Sequence, residues 1–169
     1  YHLPGLFEFY ELYREFLPLY REHREYFYDW CSIGSIYGAP AGCIWGGGRT
    51  GFGEHDPKEV LALMQEYGIS ARLTFSNSLL REEHLSDRKC NALCTLFAQG
   101  GGVENGVILH SELLLDYLRT HYPQLYLVSS TTKVLTDFRQ LRDETAREEF
   151  RYVVPDFRLN KALAQLDSL

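Results

Sequence analysis

The chain has 169 residues, 45% hydrophobic and 14% aromatic, enough apolar mass for one packed domain and short for two. Its 17 basic and 23 acidic residues leave a net charge of −6, which argues against general nucleic-acid binding while leaving room for a local basic groove. No apolar stretch approaches the ~18–20 residues of a membrane span. Four cysteines occur without CxxC or other redox spacing, which points to a reducing, cytoplasmic setting.

The first segment, Leu3–Tyr26, carries Leu6, Phe9, Tyr10, Tyr13, Phe16, Leu17 and Tyr20 at helical spacing. Pro4 suits its first turn, and Pro18 is expected to kink or split it. This aromatic helix is expected to cover one end or edge of the fold. A first strand is expected within 27–36. Gly38–Gly53 is a glycine-rich loop. It lacks the Lys-Ser/Thr ending of a phosphate loop, and no helix follows at once as a dinucleotide fingerprint requires.

A regular alternation then begins. Asp56-Pro57 opens a helix that ends at Gly68, and Ile69–Ser76 reads as a strand. Ser86 or Asp87 caps a helix that ends at Gln99, before Gly100–Gly102. Gly106–His110 is an apolar strand, and Ser111 caps a helix that stops before Pro123. Leu125–Ser129 is a strand, Thr136 or Asp137 caps a helix to about Phe150, Arg151–Pro155 is a strand, and Asn160 starts a final helix. The mixed-sign run Arg139–Glu149 reads as a solvated outer helix face.

Short apolar strands separated by capped amphipathic helices predict an α/β fold with a parallel sheet in sequential order. Five βα units fall short of the eight in a closed barrel. The expected architecture is therefore an open, curved, partial (β/α) barrel. Residues 1–169 read as one α/β domain and as the N-terminal part of a longer barrel protein.

Several segments, taken in order, carry a resemblance. They are Cys43-Ile44-Trp45-Gly46-Gly47-Gly48-Arg49, then Ala71–Leu80 with Glu82-Glu83, then Asn105–Ser111, Tyr126–Thr131 and Val153–Arg158. Together the stretch Cys43–Arg158 resembles the collagenase-like peptidases of family U-thirty-two, and the chain looks like a bacterial relative of them. The resemblance implies a barrel-like domain with peptidase-like hydrolase activity, or oxygen-independent hydroxylation of RNA or quinone precursors with a cysteine-ligated iron–sulfur cluster. No cluster motif lies within this chain, and its cofactor is left open. The resemblance also brings Arg49 and the Gly46–Gly48 loop toward the substrate.

In parallel α/β folds ligands collect where strands end. That rule selects Ser76, Asn77 and Ser78, then His110 and Ser111, then Ser129–Thr132 with Lys133, and Asp156 with Arg158. His110, Asp156 and Asn77 are the candidate catalytic residues. Arg49, Ser130, Thr131, Lys133 and Arg158 are the candidate substrate-binding residues, with Lys133 and Arg158 suited to an anionic group. Helix capping is the plainer reading of Ser111. A triad written from Ser130, His110 and Asp156 lacks a nucleophile elbow. Cys90 and Cys94 share a helix face but leave a tetrahedral metal site incomplete, so no metal site is expected. Cys94 reads as core and Cys90 as partly buried.

Two functions follow. In one, the rim binds a small-molecule, peptide or modified-nucleoside substrate, with neither a membrane nor nucleic acid as partner. In the other, the chain is a non-catalytic partial barrel that self-associates through an open sheet edge.

Overall fold

The computed structural model describes residues 1–47 and 55–169. Six strands alternate with seven α-helices among these residues. The strands are β1 (His2–Pro4), β2 (Ser35–Gly38), β3 (Ser70–Phe75), β4 (Gly106–Leu109), β5 (Tyr126–Ser129) and β6 (Phe150–Val153). The helices are α1 (Tyr10–Glu22), α2 (Pro57–Glu66), α3 (Glu82–Leu85), α4 (Arg88–Ala98), α5 (Glu112–His121), α6 (Phe138–Thr145) and α7 (Leu163–Leu166). The sheet order is β1-β2-β3-β4-β5-β6 and every neighbouring pair is parallel. The α/β class, the sequential parallel order and the partial barrel-like form are those expected from the alternation of apolar runs and caps.

Each main crossover helix after the first begins on a side chain that accepts a backbone N–H its helix cannot satisfy internally. Asp56 accepts from Lys58, Asp87 from Cys90, Ser111 from Leu114 and Asp137 from Arg139. The helices pack on the outer face of the sheet. There Ile36, Leu73, Phe75, Val107, Leu109 and Leu127 meet Leu17, Met64, Phe97, Leu114 and Leu118 in one buried cluster. No helix of the described residues is long and apolar enough to cross a membrane.

The sheet is rolled. Strands sit ~4.8 Å apart, so five spacings of a flat sheet would separate β1 from β6 by ~24 Å. Yet the rings of His2 on β1 and Tyr152 on β6 lie 5.8 Å apart, centroid to centroid. The inner face is therefore filled by its own side chains. Ile108, Tyr126 and Val128 form a small buried cluster with Tyr37 against it. Beside them Arg72, only 3% exposed, lies against the rings of Tyr126 and Tyr152. Its Nε donates to Tyr126 Oη at 2.7 Å.

The N-terminal region differs from expectation. There are six strands, because His2–Pro4 pairs with Ser35–Tyr37. Pro4 ends an edge strand, where its missing N–H costs no ladder bond, and does not start a helix. The strand expected within 27–36 begins only at Ser35, after a 3₁₀ turn at Arg24–Tyr26 and an irregular stretch. The aromatic helix is α1, the crossover from β1 to β2, with Tyr13 and Leu17 in the outer core. It is not a plug over one end. Pro18 lies within α1 and does not split it. At the other end, α6 stops at Thr145, short of Phe150, which is the first residue of β6.

The roll requires a glycine at 106. A Cβ there would fall 2.4 Å from Cε2 of the Tyr126 ring, closer than packed atoms tolerate. Gly106→Ala is expected to lower stability by ~1–3 kcal/mol, the usual cost of overpacking. In urea unfolding this reads as a lower midpoint at unchanged slope. An unchanged midpoint would show that the ring is free to move aside.

Candidate functional site

Phe75, Leu109 and Ser129 are in register across β3, β4 and β5, and all three face the outer layer of helices. The next residues, Ser76, His110 and Ser130, therefore turn to the inner side at the C-terminal rim, because alternate residues take opposite faces. The roll of the sheet brings them together. Ser76 Oγ on the β3 side lies 3.4 Å from Ser130 Oγ on the β5 side. Ser130 Oγ accepts from the N–H of Thr132 at 3.2 Å and from its hydroxyl at 2.9 Å. Thr132 Oγ1 in turn lies 3.1 Å from His110 Nδ1.

One arrangement of protons satisfies all of these contacts. The Thr132 hydroxyl donates to Ser130, so its oxygen can only accept from His110. His110 then carries its proton on Nδ1 and its lone pair on Nε2. Ser130, with two bonds accepted, has its own proton for Ser76. Ser130 is buried, Ser76 and His110 are half-buried, and Thr132 is exposed. One inner-face step below Ser76 on β3, the Thr74 hydroxyl is buried and has no hydrogen-bond partner among the described residues. Buried polar groups are nearly always paired, so this hydroxyl is an open valence beneath the rim.

The other expected site residues have different surroundings. Asn77 holds the preceding loop: its Nδ2 donates to Ile44 O at 2.8 Å and its Oδ1 accepts from the N–H of Leu79. Thr131 donates to Pro155 O and so ties the β5 and β6 ends together. Asp156 is buried and accepts from the N–H of Arg158, capping a short 3₁₀ turn. That bond is within its own loop, and the structure does not join it to Ser130 and His110 as a triad. Arg158 is exposed, with Nη1 3.7 Å from Asp156. Arg49, with Gly48 of its loop, lies outside the described residues.

Lys133 turns away from the rim. Its Nζ is 2.7 Å from Glu144 and 2.8 Å from Glu112, and it lies over the Phe150 ring. Arg147 closes the cluster on Glu112 at 2.8 Å and on Glu144 at 3.3 Å, and Ser129 donates its hydroxyl to Glu144. The Arg139–Glu149 run is thus not wholly a solvated face, since Glu144 is only 8% exposed. Both cysteines of α4 are fully buried, Cys90 included. Among the described residues no group of three or more His, Cys, Asp or Glu is placed to hold a metal ion.

Sequence reading overlooked Thr74 and Arg72. Their signal was the alternation Ser70, Arg72, Thr74 and Ser76 against Ala71, Leu73 and Phe75. That period of two separates a polar inner face from an apolar outer one.

A scan against protein-family models matched none, and searches of curated proteins and of solved structures returned no match either.

The ion cluster behind the rim sets an acid limit. Hydrogen bonding from Arg147, reinforced by Lys133, holds the Glu112 carboxyl down at about 2, while in the unfolded chain it titrates near ~4.3. A depressed carboxylate adds stability above its unfolded value and loses it as pH falls through the folded one. The urea midpoint is expected to fall steadily from about pH 5 to pH 2. In Glu112→Gln that acid slope should be shallower. An identical slope in variant and wild type would mean that solvent screens the cluster completely.

Proposed function

We propose that this domain binds a small polar molecule at the C-terminal rim of the rolled sheet, where His110 Nε2 accepts a proton or hydrogen bond from it. The observation that carries this reading is the chain Ser76–Ser130–Thr132–His110, which sets the imidazole Nδ1 against a hydroxyl and leaves Nε2 off the chain. A hydroxyl relay that orients an imidazole from Nδ1 is what general acid–base chemistry requires of its support. The surroundings favour a neutral ligand rich in hydrogen-bonding groups. The two basic side chains expected to take an anionic group, Lys133 and Arg158, are engaged with carboxylates.

The substrate class suggested by the resemblance to family U-thirty-two, a peptide or a modified nucleoside, satisfies that chemistry. Sequential parallel strands also agree with a barrel-type enzyme of that kind. The reading is therefore a hydrolase or hydroxylase domain of bacterial, cytoplasmic type, with Ser76, His110, Ser130 and Thr132 at its centre. Asn77, Thr131 and Asp156 shape the loops around them.

The test is nuclear magnetic resonance on labelled protein. His110 should show a protonated Nδ1 and a bare Nε2 in slightly alkaline buffer, and Thr132→Val should release that preference. Titration with uridine, and separately with glycylglycine, should move the signals of Thr74, Ser76, His110, Ser130 and Thr132. His110→Ala should weaken the binding ~3–10-fold, as loss of one hydrogen bond does. A proton on Nε2, or ligand shifts confined to the N-terminal end of the strands, would refute the assignment.

The unpaired outer edges of β1 and β6 support a second reading, an assembly domain that pairs edge to edge. It predicts a concentration-dependent dimer in sedimentation, weakened by Val153→Pro, which removes an N–H from the outer edge of β6 and leaves Tyr152 in place. A monomer at all concentrations excludes it.

A further inference from the structure

Cys43 and Cys90 stand far apart in the chain, yet their Sγ atoms lie 3.0 Å from each other. Cys43 precedes the 3₁₀ turn Ile44–Gly46 in the connection after β2, and Cys90 sits in the first turn of α4. Both are free thiols and both are buried, at 2% and 0% exposure. The gap exceeds the ~2.05 Å of a disulfide bond by only ~1 Å. Cys94, one turn further along α4, is also buried, whereas Cys31 is half-buried elsewhere.

The two thiols are not equivalent. Either sulfur can donate to the other across the 3.0 Å contact, and the backbone of Trp45 and Gly46 lies close to Cys43, the Gly46 N–H donating to the Cys43 carbonyl oxygen at 3.0 Å. The contact with Cys90 comes first among the effects that hold the Cys43 thiol below its usual range despite burial. The Cys90 thiol is pushed far up, by its bond to Cys43 first and by burial second. Asp87, which caps α4 through the N–H of Cys90 at 2.8 Å, also faces that thiol. Negative charge is therefore favoured on one sulfur, and the proton stays on the other beside a carboxylate.

We propose that Cys43 and Cys90 form an intramolecular disulfide on exposure to hydrogen peroxide, with Cys43 as the attacking sulfur and Cys90 as the resolving one. The Cys43 thiolate attacks one peroxide oxygen. The O–O bond breaks, hydroxide leaves and takes up a proton, and Cys43 becomes a sulfenic acid. The Cys90 sulfur then attacks the Cys43 sulfur as its proton passes to the departing hydroxyl, which leaves as water. Two thiols give up two protons and two electrons, and one peroxide becomes two waters. A resolving thiol already in contact leaves little time for further oxidation of Cys43.

The modification would act on the rim. Trp45 O accepts the N–H of Asn77 at 3.1 Å, and Ile44 O accepts its side-chain amide. A bond from Cys43 to α4 ties that segment, and Asn77 with it, to the helix layer. Oxidation should therefore raise the melting temperature, and dithiothreitol should return it to its starting value.

The test is peroxide treatment of the folded chain, followed by quenching, denaturation, alkylation and peptide mapping. Two of the four thiols should resist alkylation, with the Cys43 and Cys90 peptides joined and the chain lighter by two hydrogens. Cys94→Ser and Cys31→Ser should keep the link. Cys90→Ser should stop at an oxygenated Cys43. The wild-type chain unfolded in urea should form the link about tenfold more slowly, because loop closure is no longer prepaid by the fold. Cys43 and Cys90 both still alkylatable at a peroxide dose that already oxidises Cys31 in the same chain would overturn the proposal. So would a link of undiminished yield in Cys90→Ser through Cys94, or equal rates in folded and unfolded chains.

Discussion

A buried guanidinium holds the roll of this sheet. Arg72 carries a full charge at 3% exposure, and among the described residues it has no carboxylate partner. Burying an unpaired charge is costly, so the site must return that cost by other means. Two tyrosine faces do so, with the guanidinium carbon 5.3 Å from the Tyr126 centroid and 4.5 Å from that of Tyr152. Tyr126 Oη adds a hydrogen bond and also meets Ser70 Oγ at 2.6 Å. Tyr152 can reach Arg72 on β3 only if β6 curls back over the inner face. That curl carries Tyr152 to His2 on β1. His2, shifted down by burial and by the charge of Arg72, favours its neutral form and so does not add a second charge to the same space.

The same curl explains why the two ends of the sheet differ. Toward the strand N-termini, Arg72 and the tyrosines fill the inner face and leave it closed. Toward the C-termini, the inner residues shorten to Thr74, Ser76 and Ser130, so the rolled sheet ends in hydroxyls and one imidazole. Ser76 and Ser130 belong to strands two apart, ~10 Å in a flat sheet, and touch only because the sheet is bent. The ion cluster of Lys133, Glu112, Glu144 and Arg147 works from outside the roll. Through Ser129 it anchors β5 to α6, and β5 carries half of the rim chain. A lysine that looks in sequence like a ligand group is thus spent on holding the site's backbone in place.

The parts of this arrangement legible in sequence are those set by local chemistry. Asp56, Asp87, Ser111 and Asp137 announce helix starts through backbone donors two or three residues away, and the apolar runs between them read as strands. What resisted reading was long-range or very short. A three-residue edge strand has no periodicity to detect, and Pro4 carries the same signal at a strand end as in a first helical turn. The aromatics of 26–30 mimic a strand, yet Tyr26, Tyr28 and Trp30 are exposed at 80%, 74% and 68%, and Tyr28 stacks locally on Trp30. The fate of Lys133 depends on Glu144, whose burial follows from how α6 lies against β5. The pairing of Cys43 with Cys90 bridges two crossovers, and no spacing rule encodes it.

The open seam between β1 and β6 bears on which of the two functions the fold suits. An exposed sheet edge invites pairing in proportion to the row of free backbone groups it presents. Here β1 offers three residues, one of them a proline without an N–H, and β6 offers four. Short edges interrupted by proline are among the devices by which proteins blunt such pairing. The seam is also bridged from within by the His2 and Tyr152 rings, so an incoming strand would gain few backbone bonds and little new apolar contact. The rim has the opposite character, with a buried hydroxyl left unpaired and an imidazole whose outer nitrogen is free of the relay. The polar rim and the short, proline-interrupted edges thus support the proposed small-molecule site at the strand ends over the proposed edge-to-edge assembly.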